Sequence, residues 1–372
     1  MKKYILISAC LLLVMGFHCF AEGGEGLEEE IKAQMDTAGV GELDSLADGA
    51  REFDENFSFD ERVREEISGK NDDESGKIIG GVLKFFLGGF KEALSQTAKI
   101  MLAVLIFGVI LRFVPDGTLK DAAFYAAYAV VFTIALFMFG QAERIGKELT
   151  EELSFFVKGA VPVMCTLAVP SGQAASSAGS AAVIGGICLF TEAASRALMP
   201  LTGLMAALAA ANNLSEDISL KGLEKMFKKI IMWCIGIVMT IFVSLLKVRG
   251  LTGAALDGVA GKTVKFAVGN FIPVVGGIIS DSLDSIITCS RAIKSACGAV
   301  GIIALIYMIV PPLMRIGGML AAFRLTGIIT SPVADSRISG AIDNFADIVG
   351  LILTINVAVS ILFITAMGSL AS

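Results

Sequence analysis

The sequence predicts an all-α, polytopic integral membrane protein with about six to eight membrane helices or re-entrant elements. A signal peptide and a short acidic exported region precede them. Three observations lead there. Of 372 residues, 55% are hydrophobic and 18% charged, where an ordinary globular chain has roughly a quarter charged, and mean hydropathy is +0.76. The charges are partitioned: residues 1–21 carry +2, residues 22–77 hold 19 acids against 6 bases for −13, and residues 78–372 hold 17 acids against 22 bases for +5. Beyond residue 78, apolar runs recur at lengths approaching the roughly 20 residues that cross a bilayer. Two media are implied, dividing the chain into 1–21, 22–77 and 78–372.

Residues 1–21 combine Lys2 and Lys3, an apolar stretch over 4–17, and small residues Cys19 and Ala21. That is a signal-peptide pattern with cleavage expected after Ala21; an uncleaved anchor is the alternative. Cys10 precedes most of the apolar region instead of ending it, which excludes a lipoprotein site. In 22–77, Leu27, Ile31, Leu43, Leu46, Phe53, Phe57 and Phe59 allow short amphipathic helices but no large core, and an isolated module of this size is marginal. The expectation is short helices packed on a partner or on the membrane domain, followed by a flexible polar linker over 68–77. A solvated, disordered acidic arm stays open as the alternative.

The stretch 78–99 places Leu83, Phe86, Leu87, Phe90 and Leu94 at helical spacing, with Lys84, Lys91, Glu92 and Gln96 on the other side. It reads as an interfacial amphipathic helix and not a span. Spans follow at about 100–114, 122–140, 230–246, 296–314 and 348–370. Between 157 and 213 the apolar run is cut by Pro162, Pro170 and Pro200 and by the small-residue stretch 171–182. Two or three short spans joined by a close-packed turn are expected there, since small residues let helix backbones approach in lipid. If the signal exports the arm, 141–158 also lies outside, and Lys221, Lys225, Lys228 and Lys229 place 214–229 in the cytoplasm. Lys247, Arg249, Lys262 and Lys265 make the far side of span 230–246 equally basic, so charge does not orient it.

Enzyme motifs fail for specific reasons, and no catalytic, cofactor-binding or metal-binding residue is expected. His18 is the only histidine and falls in the signal, leaving no imidazole base or His-ligated metal. Ala260-Gly261-Lys262-Thr263 resembles the end of a phosphate-binding loop, but Leu256 stands where its first glycine belongs. Cys165, Cys188, Cys234, Cys289 and Cys297 sit in apolar surroundings without metal-ligand spacing.

The run 264–285, VKFAVGNFIPVVGGIISDSLDS, is where polarity intrudes on an apolar segment. Asp281, Asp284, Thr288 and Arg291 recur at intervals of three, four and three, so they share one side of a helix. Ionisable residues at membrane depth face protein or water and mark functional sites by default. Pro273 and Gly276-Gly277 interrupt the backbone just before them, and broken backbone is confined to cavities or protein interiors. The pore or interface candidates are therefore Asn270, Pro273, Gly276, Gly277, Asp281, Asp284, Thr288 and Arg291. The readings left open are an element lining an aqueous path, an oligomer contact, or an amphipathic helix at the interface.

The segment 262–286, KTVKFAVGNFIPVVGGIISDSLDSI, the basic-apolar run through Lys294 and the earlier VPVMCTLAVPSG over 161–172 together resemble the stage III sporulation protein AE family of endospore-forming bacteria, across essentially 78–372. The resemblance implies a non-enzymatic, multi-pass mother-cell membrane subunit of the channel complex that joins mother cell and forespore. Its implied partners are other membrane proteins of the same sporulation operon and a forespore membrane partner reached through the intermembrane space. It implies no cofactor, no nucleic acid and no catalytic residues. The bilayer and a homo-oligomeric contact complete the expected partners. The competing reading is a self-sufficient secondary transporter or permease, with the breaks at 170–182 and 273–277 as paired broken helices.

Overall fold

The computed structural model describes residues 25–69, 74–115, 117–171, 173–214, 222–242, 244–245, 276–332 and 335–371. The regular elements among them are all helical. Apolar backbone that meets lipid must satisfy its N–H and C=O groups within the segment, which favours this outcome.

The acidic region folds first in chain order. It comprises α1 (Glu25–Ala38), α2 (Glu42–Leu46), a 3-10 turn (Asp48–Glu52) and α3 (Phe59–Ile67). Ser58 caps α3 by accepting from the Glu61 N–H at 3.5 Å, and Asp60 and Glu61 favour the positive helix start. Four elements this short cannot bury a core among themselves, yet Met35, Val40, Leu43, Phe57, Phe59 and Val63 are all buried. The long helices supply the missing surface. Residues 25–67 are thus an ordered cap and not a disordered arm. Part of the expected 68–77 linker is also ordered, because the next helix begins at Glu74.

That helix, α4 (Glu74–Phe113), is followed by α5 (Thr118–Ala168), α6 (Ala174–Ala193), a π turn (Ala194–Leu198), α7 (Met199–Leu214), α8 (222–242), α9 (Gly276–Thr330) and α10 (Ser336–Ala371). Gly117 joins α4 to α5 at φ +139°, a conformation that suits only glycine. α9 and α10 run antiparallel: Gly298 lies against Ala371, and Phe323 stacks on Phe345 at 6.2 Å. α5 runs parallel to α10, with Phe132 5.4 Å from Phe345 and Thr150 donating to Asn356 Oδ1 at 3.3 Å. α4 lies along α9, their backbones meeting at Gly89 and Gly318. The α6–α7 rod returns beside α5 and α10, tied by Ser180 to the Ser369 carbonyl at 3.1 Å and by Tyr128 to the Ala210 carbonyl at 3.0 Å.

Several expected boundaries are corrected. The interfacial helix 78–99 and the span 100–114 are one helix whose character changes: Lys84, Lys91, Glu92 and Lys99 all precede the wholly apolar 100–110. In place of two or three short spans between 157 and 213, residues 157–168 finish α5, and α6 and α7 continue one another through the π turn. Pro162 does not break α5, nor do Pro311 and Pro312 break α9; neighbouring helices hold such segments straight enough to continue. Five helices among the described residues are long and apolar enough to cross a membrane, fewer than the six to eight elements expected. Merging explains much of the difference. The end of span 230–246 and the basic residues from Lys247 to Lys265 lie outside the described residues.

Length sets a limit on depth. α5 has 51 residues and α9 has 55, about 76 and 82 Å at 1.5 Å per residue, against about 30 Å of hydrocarbon. Each must extend well beyond one hydrocarbon layer. The charged stretch of α5, which includes Glu143, Arg144, Lys147, Glu148 and Glu151, is the portion suited to water.

Candidate functional site

Of the sequence-predicted stripe, Asn270 and Pro273 lie outside the described residues. Gly276 and Gly277 open α9, and Asp281 and Asp284 fall in its first three turns. Thr288 and Arg291 follow on the same helix and are exposed. The helical register needed for a shared face over 281–291 is therefore present.

The stripe ends at a junction. Ser290 donates from Oγ to Gln34 Oε1 on α1 at 2.8 Å, and Arg291 donates from Nε to the Ser171 carbonyl at 3.0 Å. One turn on, Lys294 donates from Nζ to Gln173 Oε1 at 2.8 Å and is 1% exposed. Two turns of α9 thus hold both the acidic cap and the α5–α6 turn. Ser290, Lys294, Gln34 and Gln173 were not among the candidates. Lys294 had a readable signal, because it continues the 284, 288, 291 progression by three; Gln173 and Gln34, more than a hundred residues from Lys294 and Ser290 which they meet, had none. Lys294→Met is expected to lower stability by about 1–3 kcal/mol, the usual effect of removing a buried donor. Thermal unfolding of the detergent-purified protein would measure it, with exposed Arg291→Ala expected to shift the midpoint less.

Farther along α9 the cap is anchored by aromatic and glycine contacts. Phe53 stacks on Phe85 at 5.5 Å and on Tyr307 at 4.3 Å; Phe57 meets the Tyr307 ring edge-on at 5.7 Å. Arg62 lies over Phe57 and Tyr307 at 5.5 and 5.8 Å. Gly81 on α4 and Gly159 on α5 leave notches filled by Phe53 and Leu46. Glu52 pairs with Arg315, and Phe59 packs on Phe156 at 6.2 Å. Burial pushes the Glu66 carboxyl up from its ordinary value. The buried state therefore favours the protonated carboxyl: docking carries no penalty from Glu66 below its ordinary pKa, and is weakened as pH rises from there through the raised value.

At the other end of the bundle, Lys228 on α8 pairs with Asp347 on α10 at 2.9 Å. Arg324 on α9 also reaches Asp347 and lies 3.8 Å from Asp343. Chemically, these groups position helices and present charge. Among the described residues no group of three or more His, Cys, Asp or Glu is placed to hold a metal ion.

The family model described as stage III sporulation protein AE matches residues 57–372. The chain belongs to the stage III sporulation protein AE family. Stage III sporulation protein AE of Bacillus subtilis (strain 168) is 26% identical over 360 residues, covering 93% of this chain and 88% of that protein. No solved structure matches the chain. The family match opens at Phe57, ahead of residue 78 where the resemblance in sequence begins. Packing accounts for the extension: Phe57, Phe59 and Val63 are buried against the long helices and belong to the same core as the rest of the sporulation family's fold.

Proposed function

We propose that the chain is a non-enzymatic membrane subunit of the channel complex that joins mother cell and forespore during endospore development. The observation that carries this reading is the family match over 57–372. Five helices among the described residues, with the length and composition of spans, support a membrane location. In this reading the protein sits in the mother-cell membrane facing the forespore, with residues 22–77 outside the cytoplasm. The acidic cap and the charged stretch of α5 then stand in the intermembrane space, where a forespore partner and the other membrane proteins of the operon can reach them.

A tagged chain captured from sporulating cells should bring down those membrane proteins. Recovery of the chain alone would count against the reading, and solute flux through liposomes holding only the purified chain would favour a self-sufficient transporter instead. Asp281→Leu with Asp284→Leu tests the stripe. Both changes raise hydrophobicity, so insertion and accumulation should persist while partner recovery falls several-fold. Unchanged recovery would leave the stripe as an ordinary helix face.

A further inference from the structure

Lys225 and Lys229 lie one turn apart on the exposed face of α8. Their neighbour Lys228 is neutralised by Asp347; among the described residues neither Lys225 nor Lys229 makes an ion pair. Directly beyond them the same face of α8 is an open, mostly apolar strip formed by Met232, Trp233, Gly236, Ile237, Thr240 and Ile241. Trp233 is 63% exposed at its start. Basic side chains, an amphipathic aromatic and an apolar strip therefore follow one another along a single helix face. The strip extends from Met232 to Ile241, about 14 Å along the axis, close to half of the roughly 30 Å hydrocarbon thickness. That is the depth of one leaflet.

We infer that this face binds an anionic phospholipid, its phosphate on Lys225 and Lys229 and an acyl chain along the exposed Met232–Ile241 strip. Charge complementarity selects the headgroup: basic residues at the membrane surface attract anionic lipids. The exposed apolar side chains of Met232, Trp233, Ile237 and Ile241 select a lipid over a soluble phosphate. A tryptophan between headgroup and hydrocarbon levels is in its preferred place.

Trp233 is the only tryptophan in the chain, so its fluorescence reports on this face. The full chain is reconstituted in phosphatidylcholine vesicles containing a small fraction of brominated phosphatidylglycerol or, separately, of brominated phosphatidylcholine. Half-maximal quenching is expected at a roughly tenfold lower fraction of the brominated anionic lipid. Lys225→Gln with Lys229→Gln should erase that preference while brominated phosphatidylcholine still quenches, which also shows that the variant is inserted. Lys225→Arg with Lys229→Arg should retain it, and raised salt should weaken it. Equal quenching by the two lipids, or a preference that survives the double glutamine variant, would overturn the proposal.

Discussion

Gly318→Leu is expected to separate α4 from α9 and leave the protein unable to fold stably in detergent. These helices form the most extensive pairing in the bundle, and they meet backbone to backbone. A Cβ at Gly318 would lie 2.7 Å from the Gly89 carbonyl carbon, 2.8 Å from its oxygen and 2.9 Å from the Phe90 nitrogen. No flexible side chain is there to move aside, so the helices must part. Overpacking a well-fitted core typically loses 1–3 kcal/mol, and a rigid contact of this kind should reach at least the top of that range, about 3 kcal/mol. Gly317→Leu is the control, since a Cβ one residue earlier meets nothing within 4 Å. Size-exclusion profiles of fluorescently tagged variants would separate the two: a monodisperse peak for Gly317→Leu and aggregate for Gly318→Leu. Equal profiles would mean that the crossing does not hold the helices together.

Phe53→Ala should release the acidic cap without dissolving the bundle beneath it. The ring lies between Phe85 and Tyr307 and fills the notch at Gly81, so its removal opens the contact that joins cap, α4 and α9. Phe→Ala in a packed site loses about 3–5 kcal/mol; with Phe53 only partly buried, about 3 kcal/mol is expected, raising the undocked fraction roughly a hundredfold. Limited proteolysis within residues 25–67 should accelerate accordingly when opening is fast relative to cleavage. The pairing can be isolated with a second substitution. Gly81→Ala places a methyl group on the Phe53 ring in the parent protein, but should be tolerated once Phe53 is alanine. A cycle of the two changes should therefore be strongly non-additive.

The helical membrane class was legible because composition and charge partition act over whole segments, where local exceptions average out. Element limits were less legible. Pro162, Pro311 and Pro312 are reliable breakers in water, but packing against α9, α10 and their neighbours carries the helices through them. The same packing hides the reason for Gly81, Gly159 and Gly318: each matters through a residue 28 to more than 200 positions distant, and one sequence offers no way to name that residue. Within the candidate site, the helix that carries Asp281, Asp284, Thr288 and Arg291 followed from spacing alone. That Arg291 ends on Ser171, and that Lys294 beside it is buried on Gln173, depends on how α5 and α9 are aligned, which spacing does not encode.

The cap also imposes an order on biogenesis. Gln34 bonds to Ser290, 256 residues downstream, and Phe53 stacks on Tyr307. At roughly 5–20 residues per second of synthesis, the leading segment waits about 13–51 s for its docking surface to leave the ribosome. During that interval Phe53, Phe57 and Phe59 lack their final cover, since Tyr307 on α9 follows them by some 250 residues. Their many acidic neighbours keep the nascent segment soluble while it waits, so the charge that marks the cap in the finished protein also protects it before the protein is finished.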